Sequence, residues 1–193
     1  MARPKAFIEE HALNGAVATF WKKGYHDTSM QDLVDNMGIN RASMYDTFGD
    51  KHQLYLKALE TYRETNRCAL LQAIENEPSN REKVRLLLLH LVNESLQDVE
   101  NKGCFFTNAT LEMLPHDAAV SEAVCANLQS MNLVLTAVIQ AAQVNGEIAN
   151  GASAASLADF VQCNIAGLRV LAKARPTAQQ LFGIVENVMR VLA

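Results

Sequence analysis

The sequence predicts an all-α protein, with a small N-terminal three-helix domain ahead of a larger helical body. Three observations lead there. Apolar residues recur at i, i+3, i+4 and i+7 in successive segments. Helix starts and stops are written into the chain at Ser29-Met30-Gln31-Asp32, Gly38, Pro78-Ser79-Asn80, Asn145-Gly146 and Thr177 to Gln180. Between Arg81 and Gly146 nothing alternates as a half-buried strand does. With 193 residues, 49% of them hydrophobic, the chain has enough apolar surface to build one compact body plus a small appended domain.

The first helix is expected over Phe7 to Lys23, with Leu13, Ala16, Val17 and Phe20 on one stripe and Gly24 as its stop. Glu9 and Glu10 near its start and Lys22 and Lys23 at its end suit the helix dipole, and Trp21 and Tyr25 are placed to lock it against the next two helices. Ser29 and Asp32 form a capping box that opens a second helix. Gly38 closes that helix by taking a positive φ without a Cβ penalty, and Asn40 caps a third from Arg41. Two short helices across so tight a turn make a helix-turn-helix. Leu33, Met37, Ile39, Met44 and Phe48 fall on its inner faces. Ala42, Ser43 and Asp46 lie opposite Met44 and Phe48, flanked by Arg41, Tyr45 and Thr47. Spacing alone fits an ordinary helix hairpin equally well.

A long helix follows from Asp50 to Ile74, with Tyr55, Ala58, Leu59 and Tyr62 on one face, and is expected to connect the two domains. Arg81 to Val99 is helical, its broad apolar face carrying Val84, Leu87, Leu88, Leu91, Leu96 and Val99. A short helix from Cys104 to Met113 stops at Pro115, and Asp117 caps the next, through Ala142. The last two helices run from about Ala154 to Ala174 and from Ala178 to Leu192. Their stripes, Leu157, Val161, Leu168 and Leu171 on one and Leu181, Ile184, Val185, Val188 and Val191 on the other, offer more apolar surface than a terminal hairpin needs.

The run Gly38-Ile39-Asn40-Arg41-Ala42-Ser43-Met44-Tyr45-Asp46-Thr47-Phe48-Gly49-Asp50-Lys51 resembles the recognition helix and following lysine of the TetR/AcrR family of one-component transcriptional regulators. The resemblance implies a dimeric, effector-responsive DNA-binding regulator, a repressor released from its operator by a small molecule or electrophile. Its domains would be 1–50 for DNA binding and 51–193 for effector binding and dimerisation. By the resemblance, Tyr45 and Lys51 hold phosphates; Arg41, Ala42, Ser43 and Asp46 meet bases or backbone. Ser29 joins them at the start of the second helix, and Thr47 stands where many members carry a phosphate-contacting histidine. A palindromic operator and a four-helix dimer interface built from the last two helices are also implied. The short sixth helix would line an inducer pocket with Cys104, Phe105, Phe106, Asn108, Glu112 and Met113, joined by His90, Asn93, Phe160 and Asn164. Without the resemblance, an all-helical ligand carrier or enzyme remains the rival reading.

Composition narrows the classes. A net charge of -4 argues against indiscriminate nucleic-acid binding. The N-terminal cations Arg3, Lys5, Lys22, Lys23, Arg41, Lys51 and Lys57 are matched by as many acids, so attraction to DNA must come from placement. Cys68, Cys104, Cys125 and Cys163 show no zinc-ligand or CxxC spacing; they read as reduced thiols, three of them core residues. Cys104, after Gly103 at a helix start, is the one candidate for a reactive sulfur. His90, Cys104, Glu112 and His116 are metal-ligating types, but Pro115 breaks the helical register between Glu112 and His116 and the histidines are otherwise scattered, so no metal or cofactor is implied. There is no nucleophile elbow, phosphate loop or paired-carboxylate signature of an enzyme. Uninterrupted apolar runs fall short of the roughly 20 residues that span a bilayer, and the start lacks a secretion signal's apolar core, so a cytoplasmic protein is expected.

Overall fold

The computed structural model describes Phe7 to Leu114 and His116 to Ala193; Arg3, Lys5 and Pro115 lie outside the described residues. Among those described, nine helices and no strand occur: α1 (Glu9–Lys23), α2 (Met30–Met37), α3 (Arg41–Phe48), α4 (Lys51–Ile74), α5 (Asn80–Gln97), α6 (Phe105–Met113), α7 (Ala118–Val144), α8 (Ala154–Ala172) and α9 (Ala178–Val191). The chain divides into two compact units, one of the residues up to Thr65 with Asn108–Val124, the other of Asn66–Thr107 with Cys125–Ala193.

In the smaller unit the core gathers Ala12, Ala16, Phe20, Leu33, Met37, Met44, Phe48, Leu54, Tyr55, Ala58, Leu59 and Tyr62, joined by Ala109, Met113, Val120 and Val124. The buried face of α1 is rotated from the expected stripe: Ala12, Ala16, Thr19 and Phe20 are inside while Leu13 and Val17 are half-buried. Small residues are selected there because α1 and α2 approach backbone to backbone, and a Cβ on Gly15 would stand 2.3 Å from the carbonyl oxygen of Asn36. Trp21 and Tyr25 both meet α4. Trp21 meets Tyr62 edge-on at 5.0 Å, and Tyr25 packs on Phe20 and Tyr55.

The larger unit is a helical layer in which α5 packs on α8 and α9, and these on each other. Its core runs from Leu70 and Ile74 through Val84, Leu87, Leu88, Leu91 and Val92 to Leu135, Ile139, Leu157, Val161, Leu181, Val185 and Val188. The α5 start is satisfied twice: Ser79 caps it, and the Glu147 carboxylate accepts the Ser79 hydroxyl at 2.7 Å and the Arg81 amide at 2.9 Å. Those bonds, the Arg81 amide first, hold the Glu147 carboxyl below its ordinary range.

Several expectations are corrected. Helix α5 stops at Gln97, so Val99 lies past its end and is 90% exposed, and Leu96 in its last turn is exposed as well. Helix α6 starts at Phe105, with Cys104 just before it, and α7 runs on to Val144. Cys68, Cys125 and Cys163 are exposed rather than core, and Cys104 is half-buried; all four are free thiols. The apolar faces of α8 and α9 leave Phe160, Val170, Leu171, Phe182 and Val191 at the surface. Helix α7 is long and apolar enough to cross a membrane by length and composition, with only 17% of that stretch buried.

Candidate nucleic-acid interface

The turn between α2 and α3 is built by residues with local reasons to be there. The Ser29 hydroxyl accepts the Asp32 amide at 3.0 Å, while Asp32 returns the bond to the Ser29 amide at 2.9 Å. The ammonium of Lys23, at the end of α1, closes on the same carboxylate. Lys23 first and then Ser29 hold the Asp32 carboxyl far below its usual range. Gly38 takes a left-handed φ of 67° and donates its amide to Val34. Asn40 is extended and caps α3 by accepting the Ser43 amide at 2.9 Å.

Helix α3 is thereby anchored from one side only. Met44 and Phe48 are buried, Ser43 and Thr47 are half-buried, and Arg41, Ala42, Tyr45 and Asp46 are exposed. The last-turn carbonyl of Thr47 accepts from the Lys57 ammonium at 3.4 Å, and Lys57 also stands 5.5 Å from the Phe48 ring centre. That cation lies where the negative end of a helix favours one. Lys51 opens α4 with its ammonium 4.5 Å above the Tyr25 ring. Burial lowers its pKa, opposed by the charges of Glu112 and Asp27.

The residues expected to line a ligand pocket fall in both units. Asn108, Glu112 and Met113 belong to the smaller unit; His90, Asn93, Cys104, Phe105, Phe106, Phe160 and Asn164 belong to the larger. Phe105, Phe106 and Met113 are buried, whereas Asn93 and Phe160 face solvent. His90 lies 3.5 Å from Glu94, which pairs with Arg169 at 2.8 Å. Asn164 donates to the Phe160 carbonyl. Glu112 has both oxygens engaged, by the amides of Tyr25 and His26. Sequence reasoning missed this contact, and it missed a shallow groove lined by Leu128, Gln129, Asn132, Asp159 and Gln162, where Asn132 donates to Asp159 at 2.8 Å. The only local signal for the groove is polar residues interrupting apolar helices.

Comparison with known proteins places this geometry. Residues 12–58 match the bacterial regulatory proteins of the tetR family, and residues 80–182 match the tetracyclin repressor-like C-terminal domain. The uncharacterized HTH-type transcriptional regulator YezE of Bacillus subtilis is 38% identical over 118 residues, a match spanning 61% of this chain and 60% of that relative's length. The HTH-type transcriptional repressor ComR of Escherichia coli is 26% identical over 98% of this chain and 90% of its own. A cysteine mutant of the TetR family regulator CifR, solved with 26-bp operator DNA, superposes with a TM-score of 0.88 at 30% identity, covering 99% of this chain and 100% of that one. With a helix-turn-helix whose reading face is open and a family match over most of its length, the chain belongs to the TetR family of bacterial transcriptional regulators.

Proposed function

We propose that the chain acts in the cytoplasm as a homodimeric repressor that reads a two-fold related operator through α3 and lets go of it when an effector binds. The carrying observation is the open face of Arg41, Ala42, Tyr45 and Asp46 on a helix fixed from behind by Met44 and Phe48. Arg41 and Asp46 are the base readers, since Arg pairs with guanine and Asp accepts from a cytosine amine. Tyr45, Lys51, Ser29 and Thr47 position the duplex through phosphates, and Ala42 and Ser43 lie against it. Residues 1–50 form the DNA-binding domain; 51–193 bind effector and pair the subunits.

One helix reads only a few base pairs, so two readers about 34 Å apart or a multiple of it are needed for a site of useful length. Exposed Phe160, Val170 and Leu171 on α8 and Phe182 and Val191 on α9 supply apolar surface for the second copy. Release is assigned to a small molecule or electrophile acting at α6. Cys104, a half-buried free thiol, directly precedes that helix.

The deciding experiment is selection of binding sites from genomic fragments by purified protein, followed by a salt titration on the recovered duplex. A palindromic consensus and steep loss of affinity with salt are expected. Asymmetric half-sites bound by a monomer would overturn the reading. For release, the protein is titrated with a small thiol-reactive electrophile while operator binding is followed in wild type and Cys104→Ser. Equal release in both assigns the effector to non-covalent binding.

A further inference from the structure

The segment from Gly24 to Ser29, between α1 and α2, has little backbone hydrogen bonding of its own. Thr28 donates its amide to Tyr25 at 3.4 Å and its hydroxyl to Gly24 at 2.5 Å. Its ends are tied to α1 and α2, Gly24 donating its amide to Phe20 and Ser29 to Asp32, and the amides between them at Tyr25 and His26 are held from the far end of α6. The Glu112 carboxylate accepts the amides of Tyr25 and His26 at 2.9 and 2.7 Å, both charge-assisted bonds of the strong kind. Gly24 makes room for it: at φ +84 its absent Cβ would stand 2.7 Å from a Glu112 oxygen. Five residues on, Asp117 accepts the Val120 amide at 3.0 Å and meets the His52 ring nitrogen at 2.7 Å.

These two acids flank one aromatic group. The Tyr25 ring lies 6.3 Å from Phe20, 5.0 Å from Tyr55 and 6.1 Å from His52, with the Lys51 ammonium 4.5 Å above it. All of these residues belong to the smaller unit. The backbone that carries the Lys51 platform is thus held at Tyr25 and His26 by a side chain nearly ninety positions away, in addition to its local bonds. We propose that Glu112 is a positioning residue for DNA binding: by holding the amides of Tyr25 and His26 it fixes the ring beneath Lys51, so the last turn of α6 sets operator affinity. The inference rests on the proposed phosphate contact of Lys51. It gives Glu112 a role in transmitting the position of α6 rather than in contacting effector.

The test uses full-length protein, amide hydrogen exchange at Tyr25 and His26, and fluorescence anisotropy with the duplex recovered by site selection and with its scrambled counterpart. Glu112→Gln removes the charge while keeping shape. It is expected to speed exchange at both amides and weaken both duplexes alike, by about tenfold if one strong hydrogen bond's worth of positioning is lost. Gly24→Ala, which displaces the carboxylate from the other side, should reproduce the effect, and the double variant should lose no more than the stronger single one. In a Lys51→Ala background, Glu112→Gln should add nothing. Faster exchange with affinity within about twofold of wild type would reduce Glu112 to a structural tie, and unchanged exchange would remove the contact itself. Unaltered affinity in Lys51→Ala alone would overturn the phosphate contact, and with it the route through Tyr25.

Discussion

Gly15→Ala isolates the contact that seats α2, and with it the recognition helix. A Cβ at Gly15 would lie 2.3 Å from the Asn36 carbonyl oxygen, 2.9 Å from its carbon and 3.0 Å from the Met37 Cα. Close carbon–oxygen contacts in proteins settle at roughly 3.3–3.6 Å, so the two helices must part by about 1 Å. No flexible side chain absorbs the motion, because all three opposing atoms are backbone. Overpacking of this kind costs roughly 1–3 kcal/mol, with backbone obstruction at the upper end, while alanine returns about 1 kcal/mol of helix propensity. The net loss is about 2 kcal/mol, a fall in Tm of roughly 4–8 °C for a chain of this length. Affinity for operator should fall further than stability alone requires, since α2 backs α3. Circular-dichroism melting and anisotropy titration at a temperature where the variant stays folded measure the two separately. Should Gly15→Ala melt at or above wild type and bind DNA equally well, backbone contact does not set the position of α2.

Other substitutions separate the remaining claims. Tyr45→Phe should weaken all sequences alike in a randomised operator library, whereas Arg41→Ala and Asp46→Ala should shift base preference by roughly 1–3 kcal/mol at the position read. Gly167 and Gly183 lie inside α8 and α9 with nothing within 4 Å of an added Cβ. In an isolated chain, alanine at either should therefore stabilise by roughly 0.5–1 kcal/mol; if these faces meet a second copy, bulky Gly167→Leu should instead shift sedimentation toward monomer. Asp117, through the Val120 amide first, and Glu147, through the Arg81 amide first, have depressed carboxyl pKa values. Their contribution is present above the unfolded values of about 4 and is lost as pH falls through the lower folded ones. Asp117→Asn and Glu147→Gln should accordingly flatten the acid limb of Tm against pH, and equally steep limbs would refute the assignment.

What the sequence disclosed is what local rules govern. Ser29, Asp32, Gly38 and Asn40 each bond to a residue no more than four positions away, and each takes the capping or turn role its chemistry specifies. Thr177 and Gln180 form their capping box, and Asp117 caps α7. The exposed side of α3 followed from a helical wheel because the helix is short and its anchors, Met44 and Phe48, are unambiguous. Where α1 turns its buried face was hidden, since Gly15 and the alanines signal close approach only once α2 lies opposite. The end of α5 differs from the expected one because Val99 continues the apolar period past the point where Asp98 leaves the helix. Three exposed cysteines were read as core from residue type alone. Glu112 looked like a polar group in need of a pocket; its partners lie 86 and 87 residues away, beyond any periodicity.

An acidic regulator must hold DNA with few cations, and this sets the form of its salt dependence. The chain carries 17 Lys and Arg against 21 Asp and Glu, so its overall field does not favour a polyanion. Around α3 the described cations are exposed Arg41, half-buried Lys51 and exposed Lys57, with Asp46 on the same open face as Arg41. Lys57 is engaged with the Thr47 carbonyl. If each protomer neutralises two or three phosphates, a dimer releases about four to six counterions, and log affinity should fall with log salt at a slope of roughly −4 to −5. Replacing Lys51 by alanine removes one contact per protomer and should flatten that slope by about 2. Neutralising Asp46 should raise affinity at low salt for duplexes that lack the cytosine it reads, without steepening the slope, because it removes repulsion and adds no phosphate contact. An unchanged slope in Lys51→Ala would mean that its ammonium, resting on Tyr25, does not reach the backbone of the duplex.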